Sequence, residues 1–301
     1  MSDAARAVVV PESAVAIDAD LQRVIDYYEA AGPDYAAWSP VFNMHFGYFR
    51  RGMSPWRLAP MLAQMNVEVA ARLHVPADRP ARVLDLGCGL GEVARDVARR
   101  FPLADVTGLT VTPTQVTRAN VLIGQSGLER RVRVLHADYT RAPLPDASFD
   151  AAYAIESYCH ARGPGRRECI RELRRLLRPG GRFAVADGFL KHGEALPGWL
   201  APVCRRVCDG WAIDRFAELP AFVATLREHG FVDITVEEVF WPLVPSALHV
   251  PATAARFLLR ERRRGRLVPL RLGNVMAPVF GLVLGLARRH FGYHLISGRL
   301  A

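Results

Sequence analysis

The residues best suited to chemistry lie in one short segment, "AIESYCHA", at residues 154–161. An apolar run that begins at Phe149 ends there, and the chain then presents the carboxylate of Glu156, the phenol of Tyr158 and the imidazole of His160. The apolar run predicts a buried strand, and the end of such a strand brings side chains to one edge of a sheet. A carboxylate and an imidazole at that edge are candidates for proton transfer and for stabilising charge.

A glycine-rich loop in "VLDLGCGLGE", Val83 to Glu92, predicts a cofactor site. Its G-x-G-x-G spacing follows a predicted strand and lets the backbone approach a ligand without collisions from Cβ atoms. Asp85 precedes the first glycine by two positions, and a carboxylate there suits a cationic ammonium group but would repel a pyrophosphate. The loop therefore favours S-adenosylmethionine over a nicotinamide dinucleotide, whose usual loop is G-x-G-x-x-G.

Strand-like and helix-like segments alternate from Arg82 onward and would position these groups. Strands are predicted at "ARVLDLG", "DVTGLT", "RVRVLHAD", "FDAAYAI", "RFAVADGF", "VDITVEEV" and "YHLISGRL". The segments between them predict helices, one of them capped by Thr112 and another ended by Pro179-Gly180. This alternation predicts an α/β fold with a doubly wound, seven-stranded, mostly parallel sheet.

Two stretches, residues 188–216 and 242–289, interrupt the alternation and predict additions to the sheet. A loose tail over residues 1 to about 20 and a helix capped by Asp20 and stopped at Gly32-Pro33 precede the sheet. We expect an N-terminal helical and aromatic lid (1–80), a core (81–241) with an insertion at about 188–216, a helical substrate cap (242–289) and a final core strand (290–301).

Composition narrows the classes of partner and the compartment. The net charge of +9 is compatible with binding to nucleic acid, an anionic membrane or an acidic substrate. Lys191 is the only lysine, however, and we attribute this preference for arginine to the base composition of the genome rather than to a binding site. Five cysteines without metal-ligand spacing predict buried free thiols in a reducing cytoplasm and no metal site. The N-terminus lacks the apolar run of a signal peptide, and residues 275–287 are too short to span a bilayer. We therefore expect a cytoplasmic protein.

From Val83 to Asp187 the chain resembles class I S-adenosylmethionine-dependent methyltransferases. The resemblance implies a Rossmann-like fold, S-adenosylmethionine as cofactor and S-adenosylhomocysteine as product. Thr110 stands where the family usually has an acidic ribose ligand; "GLTVTPTQ" is instead similar to γ-tocopherol and, more loosely, sterol C-24 methyltransferases. Asp138 matches the acceptor for the adenine amino group. The cofactor contacts implied by the resemblance are Asp85, Gly87, Cys88, Gly89, Gly91, Thr110, Gln115, Asp138, Tyr139 and Ile155.

The segment "YAIESYCHA" resembles the I-E-A-T-C-H-A pattern of the sterol enzymes. This likeness implies C-methylation of an apolar, lipid-like alkene such as a sterol, terpenoid or polyprenyl compound. Methyl transfer to a double bond produces a carbocation that must be stabilised and then lose a proton. We assign the stabilisation to Glu156, the base or relay to His160 and part of the lining to Tyr158. Purely structural roles for the carboxylate of Glu156 and for His160 remain as alternatives.

Aromatic residues outside the core predict a lid and a substrate pocket. "NMHFGYF" resembles the segment that closes over the cofactor in tocopherol- and sterol-type enzymes; a packed aromatic cluster is the alternative. The arginine-rich run Arg260–Arg271 lies beside an apolar helix and favours peripheral contact with the inner face of an anionic membrane, although most charge runs are only solvated. The predicted lid and substrate residues are Tyr35, Trp38, His45, Tyr48, Trp199, Trp211 and Trp241.

Two other functions remain as alternatives. An N- or O-methyltransferase of a small hydrophobic natural product would depend less on Glu156 than a carbocation enzyme does. An RNA methyltransferase is suggested only by the positive charge, and the fourth strand lacks the D/N-P-P-Y/F signature of many such enzymes. We therefore expect an apolar small-molecule substrate and no nucleic acid. The sequence leaves the methylated position and the oligomeric state open, a homodimer included.

Overall fold

The computed structural model describes residues 17–265 and 269–301, with backbone alone for Pro33 and residues 269–271. Its centre is one sheet in the order β3-β2-β1-β4-β5-β8-β7, with β6 paired to β5 outside this path. The pairs among β1 to β6 are parallel, and β8 runs antiparallel to β5 and β7. The strands are β1 (Ala81–Leu86), β2 (Ala104–Thr110), β3 (Val132–His136), β4 (Phe149–Ile155), β5 (Leu177–Leu190), β6 (Ala217–Glu218), β7 (Phe231–Glu238) and β8 (Phe291–Leu300).

Helices cover the sheet and extend beyond it at the carboxyl edge. They are α1 (Ala19–Ala31), α2 (Leu58–Arg72), α3 (Glu92–Arg100), α4 (Pro113–Gln125), α5 (Arg167–Leu176), α6 (Leu200–Gly210), α7 (Leu219–Glu228), α8 (Phe240–Ala247), α9 (Val250–Arg263) and α10 (Pro269–Leu286). Short 3₁₀ turns occupy Gly32–Ala37 and Tyr158–His160. None of the helices within the described residues is both long and apolar enough to cross a membrane.

The sheet is apolar on both faces, as a parallel sheet between helices must be. Along β1, Val83 belongs to the hydrophobic cluster on one face and Leu84 to the cluster on the other. A third cluster joins α6 to α10, where Val207 packs with Leu284. The two stretches that interrupt the predicted alternation therefore share an apolar interface above the sheet.

The strand order places two loops at the site. β1 pairs with β2 on one side and with β4 on the other, so the chain reverses its order between β1 and β4. Ligands bind at such a switch point in open α/β sheets, outside the carboxyl ends of the strands. The glycine loop after β1 and the Glu156 segment after β4 both lie there.

The predicted fold class is confirmed, with local corrections. The described residues form eight strands, the additional one being the two-residue β6. Helix α5 ends at Leu176 rather than at Pro179, because a residue before proline disfavours helical geometry and the chain enters β5 instead. Helix α1 is capped by Asp18, which accepts bonds from the amides of Asp20 and Leu21 at 3.1 and 3.0 Å.

Three further predictions are settled or set aside by the structure. Helix α1 ends at Ala31, so the predicted stop at Gly32-Pro33 is confirmed, and a 3₁₀ turn at Gly32–Ala37 follows directly. The five cysteines are buried free thiols, as predicted. The predicted tail falls largely on residues 1–16, outside the described residues, as do residues 266–268 of the arginine-rich run.

Candidate functional site

Two cavities meet at the carboxyl edge of the sheet. The larger cavity has a volume of about 380 Å³ and the smaller one about 160 Å³. Among the described residues, both cavities are lined by Tyr28, Met44, His45, Glu156 and His160. These residues form what we call the shared wall, and a group on it can contact a ligand in either cavity.

The glycine loop forms the floor of the smaller cavity. Gly87, Gly89 and Gly91 have φ angles of 90°, 52° and 70°, in the left-handed region that favours glycine. A Cβ atom on Gly87 would lie 2.4 Å from the Cβ of Ser157, so a side chain cannot be accommodated there. Gly91 does not line the cavity but caps α3, and the loop therefore combines a ligand surface with a helix start.

Asp85 lines the smaller cavity at the end of β1. Its Oδ2 accepts a hydrogen bond from the Tyr153 hydroxyl at 2.8 Å. Burial raises the pKa of Asp85 to about 7, against the opposing effect of this bond. A cation bound beside the carboxylate would favour its charged form, which is the complementarity expected for an ammonium group.

Polar residues line the opposite side of the smaller cavity. Thr110 donates to Gln115 Oε1 at 2.6 Å, so these two predicted contacts are also partners of each other. Asp138 accepts two bonds from Thr140, from its amide and its hydroxyl, each at 2.8 Å. The predicted contacts that line this cavity are Asp85, Gly87, Cys88, Gly89, Thr110, Gln115, Asp138, Tyr139 and Ile155.

Glu156 is the central group of the shared wall. Its Oε1 accepts bonds from the Phe46 amide at 2.7 Å and the Tyr293 hydroxyl at 2.9 Å. Burial raises the pKa of Glu156 to about 8; the charge of Asp187 adds to this effect and the two bonds oppose it. The backbone of Glu156 has a φ of 48°, a conformation that costs a non-glycine residue roughly 1 kcal/mol. The fold therefore holds this carboxyl in place at some cost.

His160 lies beside Glu156 on the shared wall. Its Nε2 is 2.9 Å from the Tyr28 hydroxyl, and the two rings meet edge to face. Burial lowers the pKa of His160 to about 4, so the imidazole is neutral at pH 7. The Ala212 carbonyl opposes this effect, but no described group makes a hydrogen bond of good geometry with Nδ1. One nitrogen of the neutral ring carries no proton and can accept one.

Asp187, at the carboxyl end of the β5 segment "VADGF", was missed by sequence reasoning. It lines the larger cavity and accepts bonds from the amides of Gly188 at 2.7 Å and Cys159 at 2.9 Å. The bond to Cys159 holds the 3₁₀ turn that carries His160. Burial raises the pKa of Asp187 to about 6. Tyr28, Met44 and Tyr293 were also missed.

Besides Gly91, four residues predicted to line the site do not line either cavity. Tyr158 is buried in the core, where its ring packs between Tyr139 and Phe222 at centroid distances of 5.6 and 6.4 Å. Tyr48 packs against the cluster on one face of the sheet. Trp199 and Trp241 are 63% and 70% exposed. The predicted lid and substrate residues that do line the larger cavity are Tyr35, Trp38, His45 and Trp211.

A parallel sheet with a glycine loop at its switch point and a buried carboxylate beside that loop defines an α/β enzyme that binds a nucleoside cofactor. Comparison with known proteins makes the class specific, since residues 83–181 match the family described as a methyltransferase domain. The chain is 35% identical over 266 residues to the O-methyltransferase resE of Aspergillus sclerotiorum. The matched region covers 73% of this chain and 97% of that protein. The chain therefore belongs to the methyltransferase family and is an S-adenosylmethionine-dependent enzyme.

Two other relatives match only part of their own length. The methyltransferase GfsG of Streptomyces halstedii is 39% identical over 194 residues, which is 64% of this chain and 66% of that protein. The sterol 24-C-methyltransferase ERG6B of Gibberella zeae is 43% identical over 162 residues, which is 54% of this chain and 40% of that protein. The relatives therefore include enzymes named for carbon and for oxygen methylation.

Solved structures with the same fold extend over nearly the whole chain. The [4+2]-cyclase SpnF is 25% identical, with a TM-score of 0.73 and coverage of 96% of this chain and 99% of that one. Geranyl diphosphate C-methyltransferase from Streptomyces coelicolor A3(2) has a TM-score of 0.73 at 16% identity, and the match covers 94% of this chain and 99% of that one. The second likeness shows the fold alone.

Proposed function

We propose that this protein transfers a methyl group from S-adenosylmethionine to a carbon atom of an apolar, lipid-like substrate such as a sterol, terpenoid or polyprenyl compound. The transfer takes place at the shared wall between the two cavities. The observation that carries the proposal is the buried carboxyl of Glu156 on that wall, next to the neutral His160.

The residues of the smaller cavity fit the cofactor. S-adenosylmethionine supplies an electrophilic methyl group. Asp85 would bind the cationic amino group, and Gly87 and Gly89 of the glycine loop present bare backbone to the cavity. Asp138 keeps acceptor positions for the adenine amino group, because a carboxylate has about four and Thr140 uses two of them. Thr110 and Gln115 remain as neutral partners for the ribose.

The larger cavity fits an apolar substrate. Its volume of about 380 Å³ lies within the usual range for small-molecule sites, about 300–1,000 Å³. The side chains around it are mainly aliphatic and aromatic, including Trp38, Phe46, Trp211 and Phe257. Such a lining removes apolar surface from water and keeps water away from a reactive cation.

Glu156 and His160 have the properties that carbon methylation requires. A positive charge that develops on the substrate is stabilised by the carboxyl oxygens of Glu156, and most strongly by the carboxylate that remains after Glu156 releases its proton to water. The aromatic rings of Tyr28 and Tyr293 lie against these two residues and contribute cation–π attraction. The ring nitrogen of His160 that carries no proton can then accept the proton that the substrate carbon loses.

Methylation of an oxygen atom is the second candidate. The relative named as an O-methyltransferase matches over 97% of its length. The neutral imidazole of His160 would act as the base for a substrate hydroxyl, and Glu156 would be less important because no carbocation forms. The two candidates therefore differ in which residue matters most.

Labelled methyl transfer tests the function. The purified protein is incubated with methyl-labelled cofactor and a lipid extract of the producing cell, and products are identified by mass spectrometry. A labelled product with a new carbon–carbon bond is expected; an isomer of unchanged mass would contradict the proposal and point to a cyclase.

Two variants then distinguish the candidates. For carbon methylation, Glu156→Gln should lower kcat by about 100-fold or more, as expected when a group that stabilises transition-state charge is removed. For oxygen methylation, His160→Gln should have the larger effect. A parental rate in Glu156→Gln would remove the electrostatic role assigned here.

We also propose peripheral contact of the cavity mouth with an anionic membrane. Leu248 and Leu286 line the larger cavity yet are 68% and 74% exposed. Nearby, the guanidinium of Arg288 lies 5.6 Å from the exposed ring of Trp241. Apolar side chains next to arginines suit the interface of an anionic bilayer.

Cosedimentation with vesicles tests this contact. Binding to phosphatidylserine vesicles should exceed binding to phosphatidylcholine vesicles and should weaken in high salt. Leu286→Ser should reduce it, while the matched change Val121→Ser, at a residue 55% exposed on α4, should not. Equal sedimentation with both lipids would contradict the proposal.

A further inference from the structure

The charge inside the larger cavity is opposite to that of the whole chain. The chain has 39 Lys and Arg against 30 Asp and Glu. The described residues around the larger cavity include no Lys or Arg, but they include the carboxyl groups of Asp34, Glu156 and Asp187. Burial also lowers the pKa values of His45 and His160, which face the same space. An anion placed there would lose its hydration without gaining a described cationic partner, which is costly.

A chain of neutral hydrogen-bonding groups lies on the wall of the same cavity. The Tyr27 hydroxyl donates to Asn274 Oδ1 at 2.6 Å and lies 2.7 Å from the Tyr35 hydroxyl. Because the only hydroxyl proton of Tyr27 goes to Asn274, Tyr35 must donate to Tyr27. The oxygen of Tyr35 then keeps its acceptor lone pairs, and the amide nitrogen of Asn274 keeps its donors.

These groups lie close to the shared wall. The ring of Tyr27 is 6.5 Å from the ring of His160, between centroids. Tyr27 and Asn274 are buried, with 3% and 8% exposure, so a hydrogen bond made there is shielded from water. A polar group of a substrate can therefore be fixed near the reacting atoms while its apolar body occupies the rest of the cavity.

We infer that Tyr27, Tyr35 and Asn274 form a subsite, here called the oxygen subsite, for an uncharged hydroxyl or carbonyl oxygen of the substrate. The substrate class is then a neutral alcohol or ketone with a large apolar body, and not a prenyl diphosphate. The inference rests on the proposed function, since it assigns the larger cavity to the substrate. It holds whether carbon or oxygen receives the methyl group.

Three probes with the same fifteen-carbon body but different end groups test the inference: farnesol, farnesene and farnesyl diphosphate. Trp38 and Trp211 line the larger cavity, so quenching of tryptophan fluorescence reports binding to protein loaded with S-adenosylhomocysteine. We expect farnesol to bind most tightly and the diphosphate at least tenfold more weakly than farnesol. A diphosphate that binds as tightly as the alcohol would overturn the inference.

Tyr35→Phe separates recognition of the oxygen from a structural effect. It should raise the Kd of farnesol about fivefold, the change given by one neutral hydrogen bond of typical strength, and leave the Kd of farnesene unchanged. Tyr48→Phe, which removes the same hydroxyl away from both cavities, is the matched control. Equal losses for farnesol and farnesene in Tyr35→Phe would overturn the inference.

The failure of this inference can be told apart from the failure of the proposed function. Titration calorimetry measures the binding of S-adenosylhomocysteine to the unmodified protein. If the cofactor product does not bind, the proposed function fails. If it binds and farnesol does not, the function stands and the oxygen subsite is overturned.

Discussion

The buried carboxyl of Glu156 predicts an unusual pH dependence of stability. The substitution Glu156→Gln keeps a side-chain oxygen that can accept the bonds from the Phe46 amide and the Tyr293 hydroxyl. It removes the titration of the carboxyl, whose pKa burial raises from 4.5 to about 8. The variant therefore tests the electrostatic cost of the site separately from its hydrogen bonds.

The size of the effect follows from linkage between proton binding and folding. Between pH 4.5 and about 8 the folded state keeps the proton of Glu156 while the unfolded chain releases it. The folded state therefore binds more protons in this interval, and its stability falls as pH rises. Each pH unit costs about 1.4 kcal/mol, so the whole interval amounts to at most ~5 kcal/mol. This contribution is complete below pH 4.5 and lost above about pH 8.

Urea unfolding followed by circular dichroism measures the effect at pH 5.5 and pH 9 under reducing conditions. The free energy of unfolding of Glu156→Gln, relative to that of the parent, should rise by several kcal/mol between the two pH values. Glu129→Gln, which changes an exposed carboxylate, should follow the parent at both. Parallel pH profiles for the parent and Glu156→Gln would refute the reasoning, because the carboxyl would then titrate alike in the folded and unfolded states.

Three further predictions test the two cavities. Asp85→Asn should raise the Kd of both S-adenosylmethionine and its demethylated product about 10- to 100-fold in calorimetry, and an unchanged Kd would exclude Asp85 as the ammonium ligand. Tyr28→Phe should lower kcat roughly tenfold through the loss of its bond to the imidazole of His160, the proposed base. Tyr158→Phe should leave KM and kcat near the parental values in steady-state assays. Gly281→Leu places a side chain in the larger cavity and should raise the substrate KM about tenfold without changing cofactor affinity. Gly124→Leu is the control, and equal KM values in the two variants would contradict the assignment of this cavity to the substrate.

The features predictable from the sequence are those set by residues close together in the chain. The loop from Asp85 to Gly91 combines its strand end, glycine spacing and helix start within seven positions, so its geometry and place in the sheet follow directly. The fold class follows from the regular alternation of strands and helices. Glu156 and His160 are predictable as a pair for the same reason, since both follow the end of β4.

The incorrect predictions arise where the direction of a side chain depends on a turn or on the face of a helix. The left-handed backbone of Glu156 turns the chain into the 3₁₀ segment, which directs Tyr158 into the core rather than toward a ligand. On α6 the buried positions are Leu200, Cys204, Val207 and Cys208, and Trp199 lies outside this stripe. Aromatic content alone does not tell which face of such a helix is buried.

The partners of Glu156 show why the electrostatics of the site could not be read from its own segment. One bond comes from Phe46, before the sheet begins, and the other from Tyr293 on the last strand. The packing of both segments buries the carboxyl, and this burial raises its pKa although the two bonds lower it. The property that suits Glu156 to respond to a developing positive charge therefore exists only when both ends of the chain pack against β4. An N-terminal segment that leaves this position would expose Glu156 to water and return its pKa toward the ordinary value. The raised pKa of Glu156 therefore depends on the N-terminal segment as much as on β4.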